Sequence, residues 1–168
     1  MFNKIDLDVD FNGIVIFDYP KISDFFGGKI YEGQNILSEF TSSEKGDIVL
    51  DEGAAWPIMG VDDGKYFIRF FIESLPSEKD RKVSFVDDFF YLNVTGNLYV
   101  ADMAVFWDWE DLLGWKDTKV PKGSYKAKLE GISLKVGNDI EYGYDLILKK
   151  VDALGRRTVE PRSDSRII

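Results

Sequence analysis

Residues 106–115 read Phe-Trp-Asp-Trp-Glu-Asp-Leu-Leu-Gly-Trp, so three of the chain's four tryptophans stand beside the carboxylates of Asp108, Glu110 and Asp111. The chemistry such a segment offers is recognition. Large rigid rings bury much area at little cost in side-chain entropy, and carboxylates supply charge for a basic partner to meet. In an extended conformation Trp107 and Trp109 face one way and Asp108 and Glu110 the other. A competing reading has both rings capping a core with the acids solvated opposite, and Trp115 reads as a core residue in either case.

Carboxylates also stand in pairs at Asp51-Glu52, Asp62-Asp63, Asp87-Asp88 and Glu110-Asp111, the raw material of a glycosidase acid–base couple. Thirty acids make adjacent pairs inevitable, and neighbours on a strand point to opposite faces, so solvated turns account for them better. Asp62, Asp63, Asp87 and Asp88 would suit calcium if their loops met, but no Asp-x-Asp-x-Asp-Gly loop is present and no metal is expected. The apolar run Gly53 to Gly60, with Trp56 at its centre, is either a partner-binding lip or a buried loop between strands. Arg69, set among phenylalanines, is expected to be satisfied by a carboxylate rather than to catalyse. The candidate partner-binding set is Trp107, Asp108, Trp109, Glu110, Asp111, Asp87, Asp88 and Trp56, with no catalytic residue and no cofactor.

Composition limits the alternatives. The chain has no histidine and no cysteine, which removes the commonest general base, thiol nucleophiles, disulfides and thiolate zinc sites. Residues 1–118 carry 23 acids and 10 bases, and residues 119–168 carry 7 acids and 11 bases, so −13 and +4 sum to the net −9. Phosphate binding needs clustered Lys and Arg, so nucleic acid is not an expected partner. A basic protein or a cation suits the charge better, although acidity also serves plain solubility. The first residues turn polar at once and no apolar run approaches ~20 residues, so neither a membrane nor a secretory leader is expected, and a cytoplasmic location is the default. No oligomeric state is implied.

The elements that must position these residues are mostly strands. At 168 residues one core is expected, burying roughly 70% of the unfolded chain's surface. Aromatic residues make up 15% of the chain, which favours pleated packing. Ile5, Leu7, Val9 and Phe11 alternate with Asp6, Asp8 and Asp10 as in a half-buried strand, and Asn12-Gly13 before Ile14 to Phe17 is a hairpin turn or a bulge. Residues 20–46 read as a long connection with one or two short helices around Ile22 to Phe26 and Gln34 to Phe40. Strands are expected at Asp47 to Leu50, at Tyr66 to Ile72 in a central position, and at Lys82 to Val86. Phe89 to Val94 and Leu98 to Met103 should form a hairpin through Thr95-Gly96-Asn97. Asp108 to Leu113 is a helical turn or two stopped by Gly114, or a loop. After the turn at Pro121 to Gly123 a strand runs through Leu134 with Gly131 as a bulge site, Val136 to Asp139 turns, and Tyr142 to Val151 closes the sheet.

The expected fold is all-β, or β-rich α+β: a two-sheet antiparallel β-sandwich over residues 1–154, with one or two short helices in its connections and a polar tail over 155–168.

In order, Ile14 to Asp18, Gly46 to Leu50, Phe67 to Phe71, Lys82 to Phe85, Gly96 to Val100, Val120 to Tyr125 and Tyr144 to Val151 give a layout that resembles the competence protein J family, small bacterial inhibitors of a DNA-entry nuclease. The likeness spans roughly residues 5–152, with a larger insertion here around residues 20–45 and the tryptophan segment before Pro121. It implies a protective, non-enzymatic immunity or inhibitor protein whose partner is a basic toxin or nuclease. The other readings from the residues are a β-sandwich carbohydrate-binding module with tryptophan stacking platforms and, least favoured, a carboxylate-dependent hydrolase.

Overall fold

Alternation in the first strand, β1 (Asn3–Val9), turns Ile5, Leu7 and Val9 inward and leaves Lys4, Asp6 and Asp8 outside. The structure is a computed structural model that describes residues 3–167; Met1, Phe2 and Ile168 lie outside the described residues. After β1 come β2 (Gly13–Asp18), α1 (Tyr19–Asp24), α2 (Ile36–Ser42), α3 (Lys45–Asp51), β3 (Ala55–Met59), β4 (Gly64–Ile72) and β5 (Arg81–Val94). The chain continues through β6 (Leu98–Asp102), α4 (Ala104–Trp107), β7 (Lys116–Asp117), β8 (Gly123–Val136) and β9 (Asp139–Val151).

Two sheets pack face to face, one ordered β1-β4-β9-β8-β5 and the other β3-β2-β6-β7. Their shared core holds Val9, Ile14, Ile16, Trp56, Ile68, Phe90, Val100 and Leu146. The smaller sheet is buried on both sides. Val15 and Phe17, on the outer face of β2, lie in a second core with Ile22, Ile36, Val49, Phe106, Trp109 and Trp115, contributed largely by the helical segments. This explains why Ile14 to Phe17 is continuously apolar while β1, solvated on one face, alternates. The two-sheet, β-rich architecture is the expected one, with one parallel pair, β4 with β9, among antiparallel neighbours.

Several local expectations are corrected. Asn12-Gly13 is neither hairpin nor bulge, because β1 and β2 belong to different sheets and the turn carries the chain from one to the other. The expected hairpin of Phe89 to Val94 with Leu98 to Met103 is likewise a crossing: β5 pairs with β8, and β6 pairs with β2 and β7. Buried Asp18 fixes that corner. Its carboxylate accepts the Thr95 and Gly96 amides at 3.0 and 3.1 Å, the Thr95 hydroxyl at 2.6 Å and the Lys21 amide at 3.2 Å. Phe90, Leu92 and Val94 therefore face Leu98 and Val100 across the core instead of beside them.

Asp47 to Leu50 is helical, within α3, although Ile48 and Val49 are β-branched. Gly53 decides this, taking φ +67° so that its amide bonds the Leu50 carbonyl at 3.1 Å and the Ala54 amide bonds the Val49 carbonyl at 3.0 Å. The Gly53–Gly60 run contains β3, an edge strand where Pro57 is tolerated. The two strands expected between Lys82 and Val94 are one, β5, with register shifts at Ser84 and Phe89; Gly131 sits opposite Phe85 and is not itself bulged.

The tail through residue 167 has no strand or helix and runs as a strap along the β3 and β5 side. The Thr158 amide bonds the Phe89 carbonyl at 2.8 Å, the Ser165 amide bonds Met59 at 2.9 Å, and Tyr144 donates its hydroxyl to Ser165 at 2.9 Å.

Asp18→Ala leaves the Thr95 and Gly96 amides without their acceptor in the corner, and the cost is expected to be on the order of 3 kcal/mol. Urea unfolding checks this, as a lowered midpoint at unchanged slope.

Candidate functional site

Asp102, at the end of β6, organises one end of the sandwich. Its carboxylate accepts the Ala104 amide at 2.8 Å, starting α4, and the Asp10 amide at 2.6 Å, tying the β1–β2 corner to that turn. The corner carries Phe11 out to meet Trp107, their ring centroids 5.6 Å apart. Asp10 and Asp108, the chain neighbours of these two rings, line an open groove of about 450 Å³. Leu7, Val105 and Leu113 give it apolar lining, Asp8, Asp10, Asp102, Asp108 and Glu110 give it five carboxylates, and Lys116 is the one base among its lining residues.

The tryptophan segment is not extended throughout, which separates its rings. Phe106 and Trp107 are consecutive in one helical turn, so they diverge by about 100° and only Phe106 enters the core. Trp107 is 52% exposed. The backbone then extends at Asp108 and pairs with the α1–α2 connection, the Trp109 amide on the Gln34 carbonyl at 3.1 Å and the Gly33 amide on the Trp109 carbonyl at 2.8 Å. Trp109 consequently turns inward, is 1% exposed, and packs among Phe17, Tyr19, Phe106 and Trp115. Its indole N–H donates to Asp111 at 2.7 Å, so Asp111 serves the core ring. Trp109 is thus corrected from a contact residue to a core residue, and Trp115 is buried as expected.

The remaining candidates lie elsewhere. Trp56 is fully buried in β3 and stacks on Phe90 at 3.9 Å, which removes it from any contact surface. Asp87 is buried on β5 and bound by Arg162 of the strap at 2.9 Å, so it too is committed internally. Asp88 is exposed on the same strand. β5 and β1 are opposite edges of the larger sheet, so Asp87 and Asp88 are not part of the Trp107 groove. Of the eight sequence candidates, Trp107, Asp108 and Glu110 come together on the surface. Asp8, Asp10, Phe11 and Asp102 join them; their alternate spacing on β1 signalled only a wet face, and nothing local signalled that residue 102 would meet residue 10.

A second charged centre is internal. Arg69 donates from Nε and Nη2 to both carboxylate oxygens of Asp145 at 2.6 and 2.7 Å, reaches Glu78, and lies between the rings of Phe67 and Phe71. Arg81 bonds Asp145 at 2.8 Å and also pairs with Glu130. The expected carboxylate partner of Arg69 is present, and with every charge answered this network reads as structure. Among the described residues no three carboxylates or other ligating groups converge to hold a metal ion.

No protein-family model matches the chain, and no curated protein matches it in sequence. Among solved structures it is similar to ComJ of Bacillus subtilis, described as an inhibitor of the DNA degrading activity of NucA, with a TM-score of 0.50 at 12% identity, over 89% of this chain and 96% of that one. The chain has the ComJ fold. At that identity the ComJ likeness concerns the path of the backbone, and the side chains of the groove are this chain's own.

Trp109→Ala should cost about 3–5 kcal/mol in unfolding free energy, as for a large ring removed from a core, whereas Trp107→Ala should stay within about 0.5 kcal/mol of the parent. Denaturant titration of the two variants separates the roles. Burial alone would raise the Glu78 carboxyl, but hydrogen bonds and charge from Arg69 outweigh it and hold the group below its ordinary 4.5. Its contribution is therefore complete above about pH 4.5 and lost as pH falls through the lower folded value. Glu78→Gln should flatten that acid limb in a series of thermal melts.

Proposed function

We propose that this chain is a non-enzymatic immunity or inhibitor protein that binds a basic bacterial toxin or nuclease and blocks it, using the β1, β6 and α4 end of the sandwich. One observation carries the reading: an open groove with five carboxylates and a single lining base includes Asp108, the chain neighbour of the half-exposed Trp107. A nuclease cleft must be electropositive to hold DNA, so an acidic surface is drawn to it over distances set by the Debye length, and association speeds up as salt falls. Trp107 and Phe11 supply the apolar anchor that slows release, the role aromatic hot spots play in other interfaces. Nothing in this mode of action requires a reacting side chain. ComJ, whose fold this chain shares, is described as inhibiting a DNA-degrading nuclease, which favours a nuclease within the wider class of basic toxins. A basic toxin made in the same cell would place this protein in the cytoplasm.

The test mixes the purified protein with NucA and with the basic nucleases and toxins of its source organism, and follows DNA degradation and complex formation over a range of salt. A stoichiometric complex that protects DNA and weakens with salt is expected, and Trp107→Ala combined with Asp108→Asn and Glu110→Gln should reduce affinity at least tenfold at unchanged stability. Absence of any complex at low salt, with Trp107-dependent retention on immobilised glycans instead, would replace this reading with carbohydrate binding.

A further inference from the structure

β1 is an edge strand, touched at its start by the β7–β8 connection, where Asn3 Nδ2 donates to the Thr118 carbonyl at 3.0 Å. Its only ladder partner among the described residues is β4. The Lys4 amide is taken by Asn3 Oδ1 at 2.9 Å and the Asp10 amide by Asp102 Oδ2 at 2.6 Å. Side-chain oxygens thus stand in for a neighbouring strand at both ends of the edge. Backbone groups alternate sides along an antiparallel strand, so the amides of Asp6 and Asp8, between those two, face the same open side. Other edges are treated differently. The strap bonds β5 at Phe89, and β7 is only two residues long.

We propose that this edge accepts an extended segment of the basic protein partner as a sixth strand of the larger sheet, one rich in basic residues with apolar ones between them. The inference rests on the inhibitor reading and adds its mode of recognition. Two open grooves, of about 530 and 450 Å³, flank the strand and share Leu7 and Asp8. The first, on the sheet's outer face, includes Asp6, Asp8 and Glu141 with Lys65, and the second is the groove of five carboxylates, with Leu7 and Leu113 also in its lining. Basic side chains on either face of an added strand would therefore meet carboxylates, with Leu7 and Leu113 beside them on the inner face, while main-chain bonds to Asp6 and Asp8 supply affinity irrespective of sequence. A second copy of this chain fits less well, since antiparallel self-pairing about the strand centre sets Asp6 against Asp6.

The probe is a nine-residue peptide alternating Lys and Val, titrated into the isotope-labelled full chain at low salt, with amide exchange read residue by residue. Exchange of the Asp6 and Asp8 amides should slow at least tenfold. Asp8→Pro, which removes an outward N–H without breaking the β4 ladder, should weaken binding at least tenfold, and Asp8→Lys, which keeps the amide and inverts the charge, should weaken it in a salt-dependent way. Unchanged exchange at Asp6 and Asp8, or equal binding by a peptide of the same composition interrupted by prolines, would overturn the proposal. So would a dimer abolished by Asp8→Pro, which would assign the edge to a second copy. A nuclease inhibited equally well by the Asp8→Pro variant would leave the inhibitor reading standing and remove the added strand, whereas peptide pairing without inhibition of any toxin would do the reverse.

Discussion

The carboxylate of Asp18 lies out of solvent at the end of β2 and gathers donors from Lys21, Thr95 and Gly96. A buried carboxylate is tolerated only when such donors surround it, and here they come from three successive features: the first turn of α1, the end of β5 and the start of the crossing to β6. The strand leaving β5 is thereby directed into the opposite sheet. The ring of Pro20 fills the space beside Gly96, where a Cβ would approach its Cγ to 2.5 Å, so the crossing also needs that glycine. Everything at the groove end follows from this turn, because β6 runs from it to Asp102, and Asp102 in turn starts α4 and holds Asp10.

The acids of this chain divide by the work they do. Asp18, Asp145 and Asp87 are buried and bound by backbone amides or arginines, and they fix, respectively, the sheet crossing, the Arg69 centre and the strap. The acids around β1 and α4 are mostly exposed, where charge contributes little to stability and acts outward through solvent. The C-terminal strap shows the same chemistry within one molecule: Arg157 lies on Asp51 at 2.7 Å and Arg162 on Asp87, while Arg162 also covers the Phe85 ring at 4.4 Å. Carboxylate and aromatic surface together already hold arginines in this fold, the combination that Trp107, Phe11 and the groove acids present to the outside.

How far the sequence could be read depended on whether a residue's environment is set by its neighbours in the chain. Alternation in β1, the apolar run of β4, the Gly137-Asn138 turn joining β8 to β9 and the need of Arg69 for a carboxylate are local signals, and the structure has each of them. The Thr95-Gly96-Asn97 turn misled because a hairpin and a crossing between sheets use the same turn residues and the same alternation. They differ only in whether the two apolar rows lie side by side or face to face. Residues 47–50 misled because β-branched residues favour strands, while the helix is closed by Gly53, whose carbonyl also receives the Asn93 amide at 2.8 Å from a distant strand.

By itself the sequence determined a β-rich chain with two packed sheets, a net acidic charge, and a segment in which three tryptophans stand among acids, since these depend on composition and on periodicities of two residues. Tertiary structure alone decided which ring of that segment is exposed. Trp107 and Trp109 are both tryptophans flanked by acids, but the bonds of Trp109 to Gly33 and Gln34 turn its ring inward, and those partners lie some seventy-five residues earlier, too far for any local pattern to encode. The groove has the same origin: it joins the end of β1 to the end of β6, and only the packing of two sheets brings Asp8 and Asp10 beside Asp102, Asp108 and Glu110.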